Sequence, residues 1–138
     1  MGILIHKIET KLKPEIIYAH IIDMDNYERQ MSAMENVIGK KIPREIEVLD
    51  KVLNKKFSFI HQGVTNRYII EPFNSGSTVT LEVKWSGISS TVVMGLFGTL
   101  RKIMYKIQFV TAIMEFEEGY FFSQKNKLNK NDSSNYIK

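Results

Sequence analysis

Apolar and polar positions divide the chain into three stretches of different period. Residues 3–12, ILIHKIETKL, alternate in part, as a half-buried strand does. Pro14 ends that run and suits the first turn of a helix. In the EIIYAHIID that follows, Ile17 with Ile21 and Tyr18 with Ile22 stand at i,i+4, which predicts a short helix from about Pro14 to Asp23. Asp25 can cap a second short helix, NYERQMSAMENVIG, whose Tyr27, Met31, Met34 and Ile38 share a face and whose stop is Gly39.

After Pro43 the period falls to two. REIEVLDKVL places Ile46, Val48 and Val52 on one face; KKFSFIHQ places Phe57 and Phe59; NRYIIEPF places Tyr68 and Ile70; STVTLEVKW places Val79, Leu81, Val83 and Trp85. These runs read as consecutive antiparallel strands, separated by Asn54, by Gly63 with Asn66, and by Asn74-Ser75-Gly76. Thr78, Thr80, Glu82 and Lys84 fill the alternate positions of the last strand, so one sheet face is wet and the other needs a cover.

The third stretch supplies that cover. Leu96, Leu100, Ile103, Ile107, Val110 and Met114 recur at spacings of four and three, which predicts a helix from about Thr91 to Gln124, roughly 50 Å long. This row is expected to face the sheet. A second apolar row, Tyr105, Phe109, Ile113, Phe116 and Tyr120, falls nearly opposite, so the helix is expected to be enclosed by a curling sheet or by other elements. No window near 20 residues is both apolar and free of charge, which argues against a membrane span.

Strand, two short helices, a run of antiparallel strands and one long C-terminal helix form an α+β order. It resembles the helix-grip fold of the START/polyketide-cyclase (SRPBCC) superfamily, in which a curved sheet wraps around the terminal helix and encloses a cavity. The residues that carry the resemblance are KLKPEIIYAHIID at the first strand-to-helix junction, GSTVTLEVKW in the last strand, and the helix after SGISSTVVMGLFG. The chain looks most like the small uncharacterised bacterial members. The resemblance covers about residues 3–124 and implies a sheet of five to seven strands. Five are readable here, which implies a smaller or more open cup, and no residue set matches the catalytic groups of the superfamily's enzymes.

Length and composition add limits. The 138 residues, 43% hydrophobic and 25% charged, suit a single domain over 1–124, with 125–138 as a flexible, polar, basic tail. The net charge of +4 sits mostly there: residues 123–138 carry four Lys and one Asp, leaving 15 basic and 14 acidic side chains in 1–122. A nucleic-acid partner is therefore not expected, since a folded binder concentrates its basic residues on one face. With no Cys, thiolate chemistry and Cys-based metal sites are excluded, and the composition fits a reducing cytoplasm. The N-terminus MGILIHKIETKLKP lacks the apolar core of a signal peptide.

Candidate chemistry is sparse. His20 and Asp23 have helical ligand spacing but no third ligand nearby, so neither a metal nor a cofactor is expected. Asp50 shares the alternation of Ile46, Val48 and Val52. It either faces the interior, where it could anchor a ligand or carry a proton, or is turned outward by a bulge. The positions expected to wall a cavity are Phe57, Phe59, Tyr68, Ile70, Leu81, Val83 and Trp85 from the strands, with Ile103, Ile107, Phe109, Val110 and Met114 from the helix. Arg101, Lys102 and Lys106 either lie in solvent or form a basic rim that favours an acidic ligand head. The expected function is binding of a small apolar or amphipathic molecule. The alternatives are a cyclase- or hydrolase-type enzyme using Asp50 or Tyr68, and an interaction domain using Met24, Met31, Met34, Met94, Met104 and Met114 as an adaptable surface.

Overall fold

The computed structural model describes residues 2–85 and 98–136. Strand β1 spans Gly2–Thr10 and strictly alternates half-buried with exposed positions, so Leu4, His6 and Ile8 face inward while Ile3 and Ile5 face out. Lys13, in extended conformation, precedes α1 (Pro14–Ile21), whose inner face buries Ile17 and Tyr18. Helix α2 (Met24–Ile38) follows at once. Its cap is Asp23 rather than the expected Asp25: Asp23 Oδ1 accepts from the Asp25 backbone N–H at 2.9 Å. Gly39 ends the helix at φ 69°, a left-handed position that glycine adopts without a side-chain clash.

Strands β2 (Glu47–Val52), β3 (Lys56–His61), β4 (Val64–Phe73) and β5 (Gly76–Trp85) form an antiparallel meander, and β1 joins its far edge, giving the order β1-β5-β4-β3-β2. Gln62 and Gly63, both at positive φ, make the two-residue turn between β3 and β4, a geometry that matches the twist of a hairpin. Asn66, expected in that turn, therefore lies inside β4, opposite Phe59 and Val83. Gly76 opens β5 where a Cβ would collide with the Thr10 carbonyl, so the close approach of β1 to β5 requires glycine there.

The register of β2 shifts between Val48 and Asp50. Val48 still pairs with Phe59 on the inner face, but Asp50 pairs with Ser58 on the outer face and accepts its hydroxyl at 2.7 Å. Of the two readings of Asp50, the structure selects the bulge, which turns the carboxylate away from the interior. Val48 and Val52 are 50% and 43% exposed.

Helix α3 runs Gly98–Tyr136, past the expected end near Gln124, while the predicted start at 91–97 lies outside the described residues. It meets the core through its aromatic row: Phe109 and Ile113 are buried, and Phe116, Tyr120 and Val110 pack against them. Of the row expected on the sheet, Val110 packs on the core, whereas Ile103, Ile107 and Met114 are turned away at 48%, 57% and 50% exposure; the side chains of Leu96 and Leu100 lie outside the described residues. Burial favours the larger side chains, each buried aromatic or aliphatic side chain contributing about 1.5–3 kcal/mol. A hydrogen bond from Thr10 Oγ1 to Glu117 Oε2 at 3.0 Å ties the helix to β1 in this rotation. No helix among the described residues is long and apolar enough to cross a membrane.

Candidate ligand-binding cavity

The inner sheet face is not completely filled. A cavity of about 130 Å³ remains between it, α2 and α3. Its floor is Phe57, Phe59, Val64, Asn66, Tyr68 and Leu81, which alternation along β3, β4 and β5 points to the same side. Helix α3 supplies Gln108, Phe109, Ala112 and Ile113; α2 supplies Met24, Tyr27, Met31 and Met34. Aromatic rings brace the floor. Phe57 lies 5.5 Å from Phe59, Tyr68 lies 6.2 Å from Phe109, and Tyr27 meets Phe59 edge-on at 6.0 Å.

The α2 wall is held differently from the others. None of its described side chains is fully buried, and its three Met side chains are flexible. The link that follows it is fastened by one cation: Arg44 Nε meets Glu28 Oε2 at 2.8 Å and Arg44 Nη2 meets Glu35 Oε1 at 2.7 Å. Glu35 Oε2 also accepts the Ile42 backbone N–H at 2.7 Å. The Arg44 hydrogen bond, then the Ile42 N–H, lower the Glu35 carboxyl from 4.5 to about 2. At the other side of the link, His61 Nε2–H donates to the Pro43 carbonyl at 2.6 Å.

Polar groups reach the cavity from every wall. The His20 ring stacks on Phe116 at 3.8 Å and 6°, and its Nε2 is buried with no hydrogen-bond partner. Burial pushes its pKa down from 6.5, Asp23 opposes this and Arg29 reinforces it, so the ring is neutral at pH 7. Asn66 is 6% exposed and its Nδ2 donates to the Val64 carbonyl at 3.2 Å. Away from the cavity wall, His6 on the inner side of β1 also has a buried, unpartnered Nε2; burial, then the charge of Lys106, lower its pKa.

Five of the positions expected to wall a cavity come together here: Phe57, Phe59, Tyr68, Leu81 and Phe109. Ile70, Val83 and Trp85 are buried in the core away from the cavity, and Val110 packs on the core without reaching it. Ile103, Ile107 and Met114 are on the solvent side of α3, and Asp50 is on the outer sheet face. Lys106 is exposed and does not line the cavity; the side chains of Arg101 and Lys102 lie outside the described residues. The sequence reading missed His20, Asn66 and Gln108 as wall residues. Asn66 was recoverable, since it stands two residues before Tyr68 and alternation puts both on one face.

With a five-stranded antiparallel sheet packed on a long terminal helix and two short helices after β1, the architecture is that of the helix-grip fold. Among solved structures, an Aha1 dimer from Colwellia psychrerythraea is similar at a TM-score of 0.59 and 13% identity, over 85% of this chain and 97% of that one. A protein from Thermus thermophilus is similar at 0.50 and 12%, over 89% and 99%. A polyketide_cyc-like protein from Corynebacterium glutamicum follows at 0.46 and 16%, over 91% and 93%. No protein-family model matches the chain, and no curated protein matches its sequence.

Proposed function

We propose that the chain is a small-molecule-binding protein that holds an apolar or amphipathic ligand between the sheet, α2 and α3. The observation that carries this reading is the cavity itself, an unfilled space of about 130 Å³ with aromatic and aliphatic walls and a few inward polar groups. It is smaller than the roughly 300–1,000 Å³ that drug-sized ligands occupy, so the ligand is small unless α2 moves. The helix-grip fold, built around a space between sheet and helix, supports the same reading. Asp50 is no longer available as an interior proton carrier, which weakens the enzymatic alternative. Native mass spectrometry of protein purified from its host, followed by denaturation, tests the proposal: a co-purifying small molecule is expected. Absence of any adduct, together with unchanged amide chemical shifts in a titration with toluene, would remove it.

A second reading, pairing of α3 with that of another copy, has one observation in its favour. Ile103, Ile107, Val110 and Met114 keep the four-three-four spacing of a coiled-coil seam, and all but Val110 are about half exposed. Light scattering over a concentration series decides it: a dimer that Met114→Asp converts to monomer supports pairing, and a monomer throughout excludes it.

A further inference from the structure

The chain is 25% charged, yet none of the 22 described residues around the cavity is Asp, Glu, Lys or Arg. Their polarity comes instead from nine amide, imidazole and phenol side chains. Five are primary amides, Asn26, Gln30, Gln62, Asn66 and Gln108, and the rest are the imidazoles of His20 and His61 and the phenols of Tyr27 and Tyr68. Each amide offers a donor and an acceptor side by side. We propose that the cavity takes an uncharged, single-ring molecule bearing a paired hydrogen-bond donor and acceptor, such as a carboxamide, a lactam or a neutral heterocycle, and rejects its carboxylate and ammonium counterparts. This rests on the ligand-binding reading above and narrows it.

Three features support the narrowing. The first is size, because an apolar cavity of about 150 Å³ is known to hold benzene, and 130 Å³ is of that order. A fatty chain needs more room. The second is a pair of polar groups on the wall. His20 Nε2 is buried and unpaired, and Asn66 directs its Nδ2 to Val64, which leaves its Oδ1 to accept from a ligand. With the proton of the neutral imidazole on Nε2, His20 donates to a ligand acceptor while Asn66 Oδ1 takes a ligand donor, so a ligand bearing both kinds of group suits the wall. The third is the cost of charge: an ionised head entering this wall loses its hydration and meets no counter-ion among the described residues. Of the three cations a basic rim required, Lys106 is exposed and off the wall, and the side chains of Arg101 and Lys102 lie outside the described residues; Arg44 is bound to Glu28 and Glu35.

Near-isosteric probes separate this inference from the reading beneath it. Toluene, benzamide, benzoate and benzylammonium are titrated into the full chain at pH 7.5 and followed by amide chemical shifts. Benzamide is expected to bind at least tenfold more tightly than benzoate or benzylammonium, and more tightly than toluene. His20→Phe keeps a ring to stack on Phe116 but removes Nε2, and Asn66→Leu removes the amide. Each is expected to erase most of the preference of benzamide over toluene while toluene still binds. Benzoate or benzylammonium binding as well as benzamide would overturn the inference and leave the cavity a binding site. An undiminished benzamide preference in both variants would also overturn it. Failure of all four probes, toluene included, would overturn the ligand-binding reading and this inference with it.

Discussion

Helices α1 and α2 are neighbours in sequence, yet they do opposite work. Helix α1 sends Ile17 and Tyr18, at 0% and 4% exposure, into the core. Helix α2 is longer and begins with a better cap, Asp23 on the Asp25 N–H, but none of its described side chains is fully buried. What it covers is the cavity, through Met24, Tyr27, Met31 and Met34, and what fastens its far end is the polar contact of Arg44 with Glu28 and Glu35. Core packing stabilises an element in proportion to the apolar area it removes from water, whereas exposed ion pairs contribute little. The difference therefore assigns α1 to the scaffold and α2 to a cover that can open at modest cost.

The sharpest way to break this comparison is to truncate one side chain in each helix. Ile17→Ala is expected to cost about 2–5 kcal/mol in urea unfolding, as large-to-small changes at fully buried sites do. Met31→Ala, half-buried over an existing void, is expected to cost less than about 1 kcal/mol. Equal losses would show that α2 is as much a part of the core as α1.

Arg44→Ala sharpens it at a smaller scale. Each ion pair is partly exposed, with Glu28 more than half so, and the global loss is expected to be small. The local effect is larger. Amide hydrogen exchange in residues 24–38 should accelerate while that of β4 and β5 stays unchanged, since α2 then opens without global unfolding. Uniform acceleration across the sheet would show that the Arg44 contacts stabilise the whole domain rather than its cover.

Acid separates the two regions again, by pH window. The pKa of His20 is lowered in the fold, so near and below 6.5 the unfolded chain holds the extra proton and the folded one does not. Stability is then present above 6.5 and falls as pH drops through the window down to the folded value; His6 acts in the same direction. Glu35, held at about 2 against an ordinary 4.5, contributes stability that is lost only below 4.5. A urea midpoint that declines first below about pH 6.5, less steeply in His20→Phe, is the expected result. A midpoint that rises on mild acidification would contradict the burial of both histidines.

The order of elements, the five strands and the inner faces of β3, β4 and β5 were legible because alternation with a period of two is unambiguous when one face is polar. Which row of α3 meets the sheet was not. Two apolar rows nearly opposite each other satisfy the same helical period, and only three-dimensional fit distinguishes Phe109 and Ile113 from Ile107 and Met114. Periodicity could not place Asp50 either, because one extra residue in β2 reverses every later position, and a bulge leaves no mark in the apolar pattern. Of the cavity, the aromatic floor was visible and the polar groups were not. His20 attracted notice only as a possible metal ligand, and Asn66 passed for a turn residue because asparagine is common in turns.

The two rows of α3 repeat the contrast between α1 and α2 within one helix, and they yield the smallest expected effect. Ile107 is 57% exposed, on a surface that faces solvent, so Ile107→Asp introduces a carboxylate that keeps its hydration. Its cost should fall within about 0.5 kcal/mol, the range of ordinary surface substitutions, when unfolding is followed at the lowest workable concentration so that helix-to-helix pairing does not contribute. The matched change Ile113→Asp, at 3% exposure, puts the same group into the core with no partner and should abolish folding. The pair is informative because helix propensity and charge change identically in both variants, leaving burial as the variable. Loss of the fold in Ile107→Asp, or a stable and cooperative Ile113→Asp, would mean that the helix sits on the sheet in the opposite rotation. Phe109 would then leave the cavity wall, and Ile103, Ile107 and Met114 would take its place.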